Sequence, residues 1–242
     1  MSFWDFANPR RFMAWSGTAL PWLWGLAAVL IAVGLGWGAF LTPPDFRMGG
    51  SVRIIYVHVP TAFIAINAWF MMLVASLIWL IRRHHVSALA AHAAAPVGLV
   101  MTVVALATGA IWGKPMWGAY WAWDPRLTSF LILALFYVGY LALWQAVDSP
   151  DAAADLTSIL CLVGTVFAVL SRYAAQFWNQ GLHQGASLSL DAEENISDVF
   201  WQPLVISMAG FVCLFVALVL LGTRTGIRRR RLHTLSMRAR LA

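Results

Sequence analysis

Charge is scarce in this chain. Only 11% of its 242 residues are Asp, Glu, Lys or Arg, and 61% are hydrophobic, whereas soluble domains average about 25% charged and about 45–50% apolar. That shortage excludes a single water-soluble core. Cysteine is nearly absent as well: Cys161 and Cys213 are the only two, both fall inside long apolar runs, and no CxxC pair occurs, so no disulfide framework holds this fold. They read as small buried apolar residues.

What is abundant is uncharged sequence of membrane-spanning length. A hydrocarbon layer of about 30 Å needs about 20 helical residues at about 1.5 Å each. Six stretches meet that test, running approximately from Leu20 to Leu41, Val59 to Ile81, Ala93 to Ile111, Leu127 to Val147, Leu156 to Leu170 and Leu204 to Gly222. The expected fold is all-α, a polytopic integral membrane protein of about six transmembrane helices. Residues 1–222 form one six-span membrane domain and residues 223–242 a basic tail. The fifth span, which takes some extension beyond those bounds, reads as short or tilted, because Arg172 closes it early. Arg10 and Arg11 ahead of the first apolar run faintly resemble a twin-arginine export signal, but that run is long enough to span and five more follow it.

Six spans put both termini on one side, so the loops fall into two sets that basic charge can orient. The N-terminus, the stretch from Arg82 to His92, the loop from Asp148 to Asp155 and the tail after Gly222 hold eleven of the sixteen basic residues, seven of them arginines of the tail. Arg47, Arg53, Lys114, Arg126 and Arg172 make up the other set. The first set, with both termini, is expected in the cytoplasm. The arginine-rich tail is then a topology signal held near anionic lipid, and nothing else suggests a nucleic-acid partner.

Three segments reach the opposite side: Thr42 to His58, Trp112 to Arg126, and Tyr173 to Pro203. His84, His85, His92 and His233 belong to the cytoplasmic set, which leaves His58 and His183 as the two histidines sharing a side with the middle segment. That segment carries Trp112, Trp117, Trp121 and Trp123, more indole than anchoring one helix end requires. Trp117 and Trp121 share a face if the chain there is helical; Trp121 and Trp123 share one if it is extended. Asp124 and Pro125 read as a helix start, with the carboxylate as cap and proline at the first helical position. His58, two residues before Pro60, stands near the beginning of the second span, where the helix dipole disfavours imidazolium and leaves a neutral, ligand-ready ring.

Zinc would ask for three or four ligands and gains nothing from indoles. Haem fits each part: imidazoles ligate iron, aromatic surface covers the macrocycle, and Lys114, Arg53, Arg126 or Arg172 meets the anionic propionates. The competing readings are a small-solute transporter or channel subunit with an aromatic external gate, and a subunit whose tryptophans dock another protein. The predicted spans contain almost no ionisable groups, which counts against the transporter.

The run "WGAYWAWDPRLTS" resembles the tryptophan-rich signature of the haem-handling family of cytochrome c maturation, through Trp117, Gly118, Trp121, Trp123, Asp124, Arg126, Leu127, Thr128 and Ser129. The six-span length, with one histidine before that loop and one after it, is similar to the CcmC, or haem exporter protein C, branch rather than the longer haem lyases. The resemblance implies a protein of the bacterial inner membrane that holds haem at the periplasmic face and loads the chaperone CcmE. It also implies work with the transporter subunits CcmA and CcmB and the small protein CcmD. His58 and His183 inherit the role of axial ligands, with Trp117, Trp121, Trp123, Asp124 and Arg126 completing the haem site; no catalytic residue is assigned. One departure is visible in "FWNQGLHQG", where Phe177 stands in place of an indole beside Trp178.

Overall fold

A computed structural model describes residues 8–177 and 197–241. They form six helices and, among the described residues, no strand: α1 (Pro9–Phe40), α2 (Ile55–Arg82), α3 (His85–Trp117), α4 (Pro125–Ala146), α5 (Pro150–Phe177) and α6 (Asp198–Leu241), with a short 3-10 turn at Gly50–Ile54 leading into α2. All six are long and apolar enough to cross a membrane. His183 and Trp178 lie outside the described residues.

The boundaries follow local chemistry. Asn8 caps α1 by accepting from the Arg10 amide at 3.0 Å, with Pro9 at the first position. At the α2–α3 junction the sequence suggests a loop from Arg82 to His92, but only Arg83 and His84 link the helices. Arg83 takes the left-handed conformation (φ 52°) and the His84 side chain caps α3 by accepting from the Ser87 amide. The alanine-rich run from Ala88 to Ala95 then favours helix immediately. His85 and His92 are therefore helical, and His92 stacks on Trp144 of α4 at 4.2 Å. The fifth span is likewise longer than expected. It passes Arg172, whose guanidinium lies over the Tyr173 ring near the helix end, where a long cationic side chain reaches out of the apolar layer.

Helices consecutive in the chain run antiparallel. The first and third connections lie at what we call the tryptophan end, as does the start of α6, and both described chain ends lie at the opposite, basic end. Close approach is built from small residues. A Cβ on Gly34 of α1 would come within 2.5 Å of the Ser207 amide nitrogen of α6, and one on Gly210 within 2.7 Å of that of Ile31, so the α1–α6 backbones touch. α6 also pairs with α3 in steps of four, Gly222 against Ala93, Gly226 against Leu89 and Arg230 against His85.

The interior is aromatic, and several of its polar groups bond from helix to helix. Trp69, Met72, Leu133 and Tyr137 are fully buried; the Tyr137 hydroxyl donates to the Ala65 carbonyl at 2.7 Å and the Trp69 indole N–H to the Cys161 carbonyl at 3.2 Å. Pro60 removes the amide that the Tyr56 carbonyl would otherwise receive from the next turn of α2. Ser207 of α6 replaces it, donating to that carbonyl at 2.7 Å. The Ser207–Tyr56 bond thus ties the site end of α2 to α6. At the basic end, Asp155 accepts from the Trp79 indole and from Arg83, while Asp151 lies 3.6 Å from Arg230 and 3.8 Å from His85. α6 continues helically through Gly222 to Leu241, 44 residues in all.

Candidate functional site

The tryptophan end gathers side chains from α2, α3, α4 and the loop between α3 and α4. α3 runs further than its hydropathy suggests, so Trp112 and Trp117 are helical and the true loop is residues 118–124. Gly118 ends α3 in the left-handed region (φ 77°), which a side chain there would resist, and the Lys114 ammonium donates to its carbonyl at 3.0 Å. The chain then runs extended into α4. Asp124 is only 4% exposed, and the cap explains why a carboxylate is buried there: its Oδ1 accepts from the Leu127 amide at 2.6 Å, two residues after Pro125 opens the helix.

Two edge-to-face indole pairs result. Trp112 meets Trp117 at 5.3 Å between ring centroids, and Trp121 meets Trp123 at 5.5 Å. The second pair is the i, i+2 contact of extended chain, so of the two geometries open to the sequence the extended one holds. Trp123 is 77% exposed and Tyr120 62%, forming the open part of the ledge. Trp121 and Trp112 are half-buried, and the indole N–H of each is buried with no hydrogen-bond partner among the described residues. A buried donor without an acceptor costs about 1–3 kcal/mol. Two such donors lie at this end, and an acceptor reaching either would recover that cost.

His58 is the fourth residue of α2, near the beginning of the second span as the sequence suggests, with the 3-10 turn Gly50–Ile54 leading into that helix. Its ring crosses to α3, with Nδ1 3.0 Å from Thr108 Oγ1. The ring also lies against Gly109, whose added Cβ would meet its Cε1 at 3.1 Å. Thr108 and Trp112 are one turn apart on α3, so the histidine and the indole wall share a helix face. Arg126, in the first turn of α4, interacts electrostatically with Asp124 and with Arg172 of α5, so two guanidiniums approach one locus.

The structure therefore brings together His58, Trp117, Trp121, Trp123, Asp124 and Arg126 at one end of the bundle, with Trp112 behind them. Among the described residues no three His, Cys, Asp or Glu side chains cluster as metal ligands, and that end contributes a single imidazole. The parts fit an iron porphyrin: flat aromatic surface, an imidazole, unpartnered N–H donors and paired cations for anionic carboxylates. Sequence reasoning missed Thr108 and Gly109. The signal available was only their place in the third span, antiparallel to His58.

Comparison with known proteins supports the same direction. The family model described as heme exporter protein C matches residues 2–238. The chain is 67% identical to the heme exporter protein C of Rhodobacter capsulatus over the whole of both chains. It is 66% identical to that of Paracoccus denitrificans, covering 98% of each. Against that of Escherichia coli K12 the identity is 41%, over 90% of this chain and 87% of the relative.

Proposed function

The chain belongs to the heme exporter protein C family, and from that premise we propose that it binds haem at the tryptophan end and delivers it to the chaperone CcmE during cytochrome c maturation. In this reading the tryptophan end faces the periplasm and the basic end the cytoplasm of a bacterial inner-membrane protein, as the distribution of arginines favours. His58 supplies one axial ligand and His183 the other. Trp117, Trp121 and Trp123 cover the macrocycle, and Arg126, kept in place by the capped start of α4, faces the propionates. CcmA, CcmB and CcmD are the further partners that the resemblance implies.

The observation that carries this reading is the pair of buried indole N–H groups of Trp112 and Trp121, without acceptors among the described residues, at the end where Thr108, one turn before Trp112, meets His58. An acceptor brought by a ligand would recover the cost of burying each donor. A carboxylate-bearing, flat, iron-containing cargo satisfies both the polar and the apolar surface. Handover follows from competition: the partner must bind the porphyrin more tightly once one imidazole lets go, since only a difference in affinity moves it.

Absorption spectra of purified protein test the reading. Alanine at His58 or at His183 is expected to weaken or shift the haem bands, and alanine at Trp121 and Trp123 to lower haem retention and chaperone loading in protein that still inserts. Unchanged spectra in both histidine variants would remove them as ligands.

A further inference from the structure

The hydrogen bond between His58 and Thr108 has a direction that neighbouring atoms decide. Thr108 has one hydroxyl proton, and its Oγ1 lies 2.7 Å from the Val104 carbonyl oxygen and 3.2 Å from that of Ala105. Two oxygens 2.7 Å apart repel unless a proton lies between them, so that proton points back along α3. Thr108 then offers His58 only a lone pair, and the 3.0 Å contact requires a proton on Nδ1. A neutral imidazole has one N–H, so Nε2 keeps the lone pair that can bind a metal.

We infer that Thr108 is a positioning residue that holds His58 as the Nδ1–H tautomer and so presents Nε2 to the haem iron. Gly109 completes the device. A side chain there would press on His58 Cε1 at 3.1 Å, so the missing Cβ lets the Cε1 edge of the ring approach α3 while Thr108 holds its Nδ1. Donation from Nδ1–H to an oxygen also strengthens the imidazole as an electron donor, which favours ferric over ferrous iron. The inference rests on the reading of His58 as an axial ligand.

The test uses the full chain. Solid-state 15N spectroscopy of haem-free, histidine-labelled protein reads the tautomer of His58, whose signal is identified by its loss in His58→Gln. Wild type and Thr108→Ser are expected to show the Nδ1–H form, and Thr108→Val a mixture. In haem-loaded protein, Thr108→Val is expected to shift the reduction potential to more positive values and Thr108→Ser to restore it. Thr108→Ala serves the same comparison should the valine variant not be recovered. An Nε2–H signal in wild type, or a wild-type tautomer and potential in the valine and alanine variants, overturns the role of Thr108. A haem spectrum untouched by His58→Ala instead overturns the ligand assignment beneath it.

Discussion

Asp124 joins the described site to the fold through one oxygen. Its Oδ1 caps α4 at the Leu127 amide, and that bond fixes where Arg126 begins its helix turn. Asp124→Ala is expected to destabilise the protein by about 1 kcal/mol, the usual cost of losing such a cap. Asp124→Asn should stay close to wild type, since its amide oxygen caps equally well. Thermal unfolding midpoints in detergent compare the two; equal losses in both would show that charge, and not capping, is what the buried carboxylate supplies. This helix start was legible in the sequence, because an Asp–Pro pair before an apolar run carries its own local geometry. The His58–Thr108 contact was not, since it joins residues on different helices and depends on how far one span slides along the other. Hydrophobic periodicity does not encode that offset.

At the level of the helices, the six apolar stretches were readable because length and absence of charge suffice to define a span. Their ends were not. α3 gains a turn and more at each end, from His85 and as far as Trp117, where aromatic and proline residues lower the hydropathy without breaking the helix. What locks the helices together is size complementarity. Gly98 of α3 receives the ring and hydroxyl of Tyr137 from α4, and an added Cβ would collide with all three of the nearest Tyr137 atoms. Gly98→Ala is therefore expected to cost about 1–3 kcal/mol by overpacking, with the Tyr137 bond to Ala65 strained or lost. A lowered unfolding midpoint, relieved by pairing the change with Tyr137→Phe, would identify the clash; an unchanged midpoint would mean that α4 shifts freely.

For the molecule as a whole, the proposed orientation makes a sharp demand on accessibility. In a background with Cys161 and Cys213 replaced, a single cysteine at Tyr120 should react with a membrane-impermeant maleimide added outside intact spheroplasts. One at Ser236 should react only after lysis. Reaction of both from the same side would contradict a bundle whose tryptophan and basic ends lie on opposite faces.

α6 adds a constraint of its own. At about 1.5 Å per residue its 44 residues reach about 66 Å, about twice a hydrocarbon layer, so the arginine segment is the same rod as the last span. Its compass bearing is inherited from the membrane. Adding one residue after Gly222 would swing Arg230 about 100° around the axis, away from Asp151 and His85, whereas adding seven would return it almost to its heading about two turns further along. The tail's arginines are dialled to an azimuth, and their number alone does not describe them.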